Sequence, residues 1–358
     1  MLVLRLRKLI ITSVLLGVFA ISFSVIIAVA SPFEPQNTPP DSLDIQSPPP
    51  TITGPPVTPR VPLAANDSKT VIRFLHGGEV TELSMYAYLV GAVAAETPAS
   101  FESEALRAQA VALRTYVLHH IYIAPPAGHA DADVCGVFGC CAAYDDEAAL
   151  REKWGDAYDE NLKKIEDAVA STDGIFITYD SLPILAVFHS SSYRATTGAE
   201  KVWSQPVPYL VSVPSPETEA EVTNLKSTVT VTAADFKSTV LSAYPDAKLE
   251  GDARTWITDM QIDKTGRVDT ITVGGITLTG TQLRALFALR STAVSVTIGE
   301  DIVFETMGYG HGVGMSQFGA NIMAKGGASW REIIKSYYTG VMMSDEAFFG
   351  ALGEAVVM

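Results

Sequence analysis

Two features of this sequence combine residue types and spacing that could carry chemistry. The first is Glu96, which ends an apolar segment of helical period and is followed directly by Thr97 and Pro98. Because proline disfavours helix at the residue before it, the helix is predicted to end close to Glu96. A carboxyl group at such an end can contact low-dielectric walls and still face a cleft, which raises its pKa towards catalytic use. The alternative is a solvated glutamate at a helix end.

The second feature is a loop with four candidate metal ligands, His129, Cys135, Cys140 and Cys141. Zinc prefers four nitrogen and sulfur ligands in a tetrahedron, and a fully closed site leaves no position for water. An odd, tightly clustered set of cysteines is poor material for a disulfide framework. Two alternatives stay open: a disulfide between Cys135 and one partner, which is allowed outside the membrane, or free buried thiols.

Two predicted helices position Glu96. Ser84 can cap the first helix, and the second begins near Ser103. The apolar positions of the first helix recur at three- and four-residue steps, at Tyr88, Leu89, Ala92 and Val93. Further along, the pattern predicts one helix over residues 146–170 and one strand over residues 183–189.

The domain organisation follows from composition. The chain has 358 residues, enough for two domains at about 150 residues each. Residues 1–31 place basic residues before a long apolar run, which predicts a cytoplasmic stub and an uncleaved transmembrane anchor; the alternative is a cleaved signal peptide. Residues 32–66 are proline-rich and predict an extended linker.

The rest is predicted to be an α+β extracytoplasmic domain of helices and short strands, with an inserted or appended smaller β-rich subdomain. Residues 67–214 form the first part of the catalytic core with the metal-binding loop. Residues 215–305 form the β-rich subdomain, and residues 306–358 complete the core.

Charge and motifs exclude several function classes. The net charge is −15, and no basic stripe follows the N-terminus, so a nucleic-acid partner is not expected. Ser316 lies in GMSQFG, which lacks the spacing of a nucleophile elbow. The sequence has no H-E-x-x-H and no Walker lysine after a glycine loop.

Several longer segments together resemble one known family. They are YLVGAVAAETPASFESEALRAQAVALRTYVL, VFHSSS, LRALFALRS and GYGHGVGMSQFGANIMAKGG, with SYYTG after the last. These segments resemble the stage II sporulation protein D family and the related amidase enhancers, over about Thr70 to Gly340. The resemblance implies a lytic transglycosylase that cleaves peptidoglycan glycan strands whose stem peptides a partner amidase has removed, during engulfment of the forespore by the mother cell.

The resemblance also implies roles for particular residues. The catalytic acid and base of the family falls on Glu96. A structural zinc site is implied, with His129, Cys135 and Cys141 at matching positions and Cys140 where a second histidine is expected. The chemistry itself would need no cofactor.

The same resemblance suggests a set of substrate contacts. The candidate residues are Arg114, His189, Ser191, Thr196, Tyr209, His311 and Gln317. For Arg114 the alternative is an ion pair with a nearby acid, and for the histidines it is a structural role. The loop after His189 departs from the family pattern at Tyr193-Arg194 and Thr197-Gly198.

Partners and location are implied in the same way. The expected partners are glycan strands, a cell-wall amidase and a membrane partner of the engulfment machinery. The expected location is the mother-cell membrane, with the C-terminal domain facing the forespore. The alternative function is a non-catalytic, glycan-binding activator of an amidase. A zinc peptidase is a third reading, which the closed ligand set argues against.

Overall fold

The computed structural model describes residues 66–345, apart from residues 127 and 130. These residues combine helices with several small sheets, which is the α+β class predicted from the sequence. Within this range no helix has the length and apolar character needed to cross a membrane. The predicted anchor over residues 1–31 and nearly all of the predicted linker lie outside the described residues.

The helices follow the chain in this order. They are α1 (Met85–Glu96), α2 (Ser103–Tyr122), α3 (Glu147–Trp154), α4 (Tyr158–Ala170), α5 (Glu200–Trp203), α6 (Ala233–Ala243), α7 (Gly280–Leu286), α8 (Gln317–Lys325) and α9 (Trp330–Tyr337). Short 3-10 turns cover Gly155–Ala157 and Ala253–Thr255.

The strands form small sheets between these helices. They are β1 (Val71–His76), β2 (Glu79–Ser84), β3 (Val134–Cys135), β4 (Ile177–Tyr179), β5 (Leu182–Pro183), β6 (Phe188–His189), β7 (Lys226–Thr232), β8 (Ile257–Ile262), β9 (Val268–Val273), β10 (Ile276–Thr279), β11 (Val294–Ile298), β12 (Asp301–Met307), β13 (Met315–Ser316) and β14 (Met342–Met343). The sheet orders are β2-β1-β3, β10-β9-β8, β11-β12-β7, β13-β6 and β14-β4-β5.

Two hydrophobic clusters form the interior. The larger contains the apolar faces of α1 and α2, with β1, β4 and α9. The smaller is built around stacked aromatic rings, among them Phe236, Phe287 and Phe304. The smaller cluster lies inside the segment 215–305 predicted to be a β-rich subdomain, and the division into domains stays a prediction.

Helix α1 begins and ends where the sequence predicts. The Ser84 side chain accepts a hydrogen bond from the N–H of Ala87 at 3.2 Å and caps the start. At the other end the N–H and the hydroxyl of Thr97 both donate to the carbonyl of Val93, at 3.0 and 2.7 Å. Thr97 is extended, as expected for a residue before proline, so Glu96 is the last helical residue.

Two sequence-based expectations about elements are wrong. The helix predicted over residues 146–170 is two helices, α3 and α4, because Gly155 between them has a φ of 51°, a backbone conformation outside the right-handed helix. The strand predicted over residues 183–189 is two short strands, β5 and β6, which pair with different partners.

A close approach between α1 and a later loop requires a glycine. The N–H of Asp145 donates to the carbonyl of Gly91 at 3.3 Å. A Cβ atom at position 91 would lie 2.3 Å from the Tyr144 ring and 2.8 Å from the carbonyl oxygen of Asp145. Gly91 therefore lets the loop that precedes α3 pack directly on the helix that ends at Glu96.

We expect Gly91→Ala to destabilise the fold. Alanine favours helix over glycine by about 1 kcal/mol, but the collision with the loop backbone carries a larger, overpacking cost of about 1–3 kcal/mol. The control is Gly299→Ala, because a Cβ atom at the exposed Gly299 would meet only the carbonyl oxygen of Asp301, at an ordinary contact distance of 3.8 Å. Urea unfolding would contradict this reading if Gly91→Ala were as stable as the control.

Candidate active site

The carboxyl group of Glu96 lies between two distant segments. Its Oε1 accepts a hydrogen bond from the backbone N–H of Ala143 at 2.6 Å. Its Oε2 accepts one from the side-chain amide of Gln317 at 3.3 Å. Glu96 is partly exposed at the end of α1, so it meets both protein and solvent.

This environment raises the pKa of Glu96 to about 7. Burial is the largest cause, since it disfavours the charged form. The hydrogen bonds from Ala143 and Gln317 and the charge of Lys153 oppose the shift, whereas the charge of Asp145 adds to it. A carboxyl group with such a pKa can both give and accept a proton near neutral pH.

Lys153 is held beside the site by its own contacts. Its ammonium group donates to the carbonyl of Ala94 at 2.9 Å and pairs with Asp145 at 2.9 Å. Asp145, whose charge adds to the pKa shift of Glu96, is thus already paired with Lys153. Within the part of the chain that the structure describes, no second carboxylate is hydrogen-bonded to Glu96.

The segment that supplies the Ala143 amide follows the predicted ligand cluster. The ligand atoms of His129, Cys135, Cys140 and Cys141 all lie within 4.8 Å of one another. Nε2 of His129 lies 3.3 Å from the sulfur of Cys141. All three cysteines, which belong to the described residues, are free, so the disulfide considered above is absent from the structure.

The four groups fit a tetrahedral zinc ion. Zinc bonds of about 2.3 Å to sulfur and about 2.0 Å to nitrogen place neighbouring ligand atoms about 3.5–3.8 Å apart, which lies within the 4.8 Å span of this cluster. A hydrogen bond with the Cys141 thiol lowers the pKa of Cys135 below its ordinary value. This cluster can therefore present a thiolate to a cation, which is the form that binds metals.

Gln317 reaches Glu96 from the start of helix α8. Strand β13 precedes this helix and pairs in parallel with β6, which places Ser316 opposite His189. Ser316 caps α8 by accepting the N–H of Gly319 at 3.2 Å. Gln317 is the first residue after the cap and is 7 % exposed, so the cap determines its position.

The glycine-rich segment before Gln317 packs on backbone. A Cβ atom at Gly314 would lie 2.1 Å from the carbonyl oxygen of Val187, and one at Gly308 would lie 2.7 Å from that of Ser191. Both glycines also have positive φ. These glycines therefore bring two protein segments together.

The two predicted binding histidines are engaged in protein contacts. His189 Nδ1 lies 3.1 Å from the carbonyl of Val313, and its Nε2 lies 2.7 Å from the hydroxyl of Ser192. His311 Nε2 lies 2.9 Å from the carbonyl of Phe188, while its Nδ1 accepts the N–H of Val313 at 3.1 Å. Burial lowers the pKa of His189 well below its ordinary value and that of His311 to about 3. Both rings are therefore neutral and hold the glycine-rich segment in place.

Arg114 does not face a cleft. Its side chain is fully buried and donates to both carboxylate oxygens of Asp67, at 2.7 and 2.6 Å. It also donates to the carbonyl of Ile175 at 2.9 Å. This position does not match the expected contact of Arg114 with the substrate. It matches the ion pair that the sequence analysis gave as the alternative.

The other predicted contact residues are also tied to the fold. Ser191 exchanges two backbone hydrogen bonds with Tyr309. Thr196 is fully buried, and its hydroxyl accepts the N–H of Val213 at 2.9 Å. Tyr209 is partly exposed, and its hydroxyl accepts the N–H of Leu185 at 3.0 Å. Of the candidate substrate contacts, the structure brings Gln317 into hydrogen bonding with Glu96.

Two groups that act on Glu96 could not be recognised from the sequence. The Ala143 contact uses a backbone N–H, which every residue except proline has. Lys153 lies in an amphipathic helix, where a lysine is ordinarily a solvated surface residue. The cluster of cysteines could have drawn attention to the segment after Cys141, but not to the backbone N–H of Ala143.

Comparisons with known proteins find relatives in the family that the sequence segments resemble. The family model described as "Stage II sporulation protein" matches residues 76–179. The chain is 38 % identical to stage II sporulation protein D of Bacillus subtilis (strain 168) over 276 residues, which cover 75 % of this chain and 77 % of that protein. The corresponding protein of Bacillus amyloliquefaciens is 36 % identical over 273 residues, with the same coverage. An amidase enhancer of Bacillus subtilis is 26 % identical over 306 residues, covering 72 % of this chain and 40 % of the enhancer.

The raised pKa of Glu96 predicts a measurable pH dependence of stability. The folded protein holds the proton up to about pH 7, whereas the unfolded chain loses it near its ordinary value of 4.5. The resulting stabilisation is fully present below pH 4.5 and is lost as the pH rises through 7. Glu96→Gln keeps the shape of the side chain and cannot titrate.

Urea unfolding at several pH values checks this prediction. Between pH 4.5 and pH 8, the free energy of unfolding of the wild type should fall by roughly 3 kcal/mol relative to Glu96→Gln, since a shift of one pKa unit corresponds to about 1.4 kcal/mol. Parallel stability curves for the two proteins would show that Glu96 is an ordinary solvated carboxylate.

Proposed function

Because the chain belongs to the stage II sporulation protein D family, we propose that it is a lytic transglycosylase that acts on peptidoglycan during sporulation. The proposed substrate is a glycan strand without stem peptides. The bond cleaved joins N-acetylmuramic acid to N-acetylglucosamine, and the product carries a 1,6-anhydro end. The observation that carries this proposal is the partly buried carboxyl of Glu96, with a pKa of about 7.

The first step needs a protonated Glu96. Oε1 already accepts the Ala143 N–H at 2.6 Å, whereas the contact of Oε2 with Gln317 is longer, at 3.3 Å. Oε2 is therefore the oxygen better placed to carry a proton. That proton passes to the glycosidic oxygen as its bond to C1 of the muramic acid breaks. The 2-acetamido group of the substrate stabilises the positive charge that develops at C1.

The second step uses the same group as a base. Glu96 takes the proton of the 6-hydroxyl while that oxygen bonds to C1, which closes the anhydro ring and restores the protonated acid. No water is consumed. Hydrolysis by the usual routes needs two carboxylates, and a single carboxyl group fits this intramolecular reaction better.

The surroundings of Glu96 suit both steps. A pKa near 7 keeps a useful fraction of the group in each protonation state at neutral pH. The Ala143 N–H stabilises the carboxylate form, which limits how far burial raises the pKa. The amide of Gln317 does the same more weakly and aligns the second oxygen.

We further propose that His129, Cys135, Cys140 and Cys141 hold a structural zinc ion. A closed set of four ligands leaves no position for substrate. When bound, the ion would provide rigidity rather than a reaction step. The segment it holds ends at Ala143, so the ligand cluster would keep the amide donor in place for Glu96.

The proposed location and partners depend on the chain outside the described residues. The apolar run within residues 1–31 would anchor the protein in the mother-cell membrane, and residues 32–66 would carry the folded part towards the forespore. A cell-wall amidase would supply the peptide-free strands, and a membrane partner of the engulfment machinery would act beside it.

Product analysis tests the proposed reaction. Purified glycan strands without stem peptides should yield 1,6-anhydro ends with the wild type, as detected by mass spectrometry. General acid–base catalysis contributes about 10²–10⁴-fold, so Glu96→Gln should lose at least about a hundredfold. The matched control is Glu102→Gln, because Glu102 is an exposed carboxylate at the start of α2. Reducing ends without anhydro rings would overturn the transglycosylase assignment.

The similarity to an amidase enhancer favours a second candidate, a non-catalytic activator of a cell-wall amidase. This function predicts faster release of stem peptides when the protein is added to an amidase. It also predicts that Glu96→Gln retains the effect. Activation without any anhydro product would favour this candidate over the enzyme.

Metal analysis tests the zinc proposal. Protein purified under reducing conditions should contain about one zinc ion per chain, as expected of a four-ligand site. Cys140→Ala should lose most of it, while Cys140→His should retain it because histidine is also a zinc ligand. Zinc loss should lower the melting temperature of the wild type. Metal-free protein with unchanged stability would contradict the proposal.

A further inference from the structure

We propose that Glu217 is a positioning residue that holds the turn from Ser316 to Gln317 and so sets the hydrogen bond from Gln317 to Glu96. The inference deepens the proposed function and rests on it, because Glu96 is the group that is finally oriented. Neither the sequence motifs nor the family resemblance singled out Glu217.

The carboxyl group of Glu217 is deeply buried beside this turn. The residue is 6 % exposed. Its Oε1 accepts the hydroxyl of Ser316 and the N–H of Ser192, the latter at 2.7 Å. One oxygen atom thus joins the segment after β6 to the last residue of β13.

Ser316 transmits this contact to the active site. Its hydroxyl donates to Glu217 and accepts the N–H of Gly319, which caps helix α8. Gln317 follows directly and donates to Oε2 of Glu96. The path from Glu217 to Glu96 therefore consists of hydrogen bonds and one peptide unit.

The site is shaped to admit a carboxylate. A Cβ atom at Gly319 would lie 3.0 Å from Oε2 of Glu217 and 2.9 Å from the hydroxyl of Ser215. The same Cβ would lie 2.0 Å from the hydroxyl of Tyr337. Only glycine leaves room for this group of polar atoms beneath the first turn of α8, where the helix dipole favours a negative charge.

The second oxygen of Glu217 takes no part in this link. Oε2 of Glu217 has no hydrogen-bond partner among residues 66–345 as described. Burying a carboxyl oxygen without a partner is costly.

Two explanations make opposite predictions for the pKa of Glu96. If Glu217 positions Gln317, losing its side chain weakens a hydrogen bond to the Glu96 carboxylate and raises that pKa. If Glu217 acts through its charge alone, losing it removes a repulsion and lowers that pKa. Both explanations leave the other charged neighbours of Glu96 in place. These are Lys153 and Asp145, with Tyr88 nearby.

The experiment is an NMR titration of the Glu96 carboxyl carbon in the full chain, which requires no catalysis. Glu217→Ala should raise the pKa of Glu96 by the same amount as Gln317→Ala. The double variant should show no further rise, because both changes remove one interaction. Glu217→Gln should resemble the wild type, since its amide oxygen can accept both hydrogen bonds.

Additive shifts in the double variant, or a fall in the pKa of Glu96 in both Glu217 variants, would overturn the proposal. If Glu217→Ala fails to fold, Ser316→Ala breaks the same path and should raise the pKa of Glu96 in the same way.

Production of anhydro ends is measured in parallel. A protein with the expected pKa shifts but no anhydro product would sink the proposed reaction and leave the positioning role standing.

Discussion

The hydrogen bond from the Ala143 N–H to Oε1 of Glu96 is the interaction on which the rest of the site depends. It joins the carboxyl group at the end of a buried helix to the loop that packs on that helix at Gly91. Burial raises the pKa of Glu96, and this short contact of 2.6 Å keeps the charged form accessible. The balance of these two effects leaves a carboxyl group that can give a proton and take it back.

Close backbone packing makes this balance possible. Gly91 lets the loop before α3 lie against α1, and Gly319 leaves room for Glu217 beneath α8. The donors on Glu96 therefore come from two segments that lie far apart in the sequence, around Ala143 and Gln317. They are a backbone N–H and a neutral amide rather than a second carboxylate. Such surroundings suit a reaction in which the substrate's own hydroxyl is the nucleophile.

Short-range sequence patterns predict two parts of the site. The helix end at Glu96 follows from apolar period and Pro98, and the ligand cluster follows from four soft side chains within one short loop. The rest depends on contacts between distant segments. Arg114 pairs with Asp67, and Gln317 contacts Glu96 from a segment far along the chain. His189 and His311 look like binding residues in a list of motifs, but both of their ring nitrogens are occupied by protein partners.

The pH dependence of kcat/KM for cleavage of peptide-free strands tests the central claim most directly, because this ratio reports the ionisation of the free enzyme. The reaction begins with a protonated Glu96, so the account predicts a rate that falls above an apparent pKa near 7. A rate that stays constant from about pH 5.5 to about pH 8.5, where a group with this pKa titrates, would contradict Glu96 as the acid.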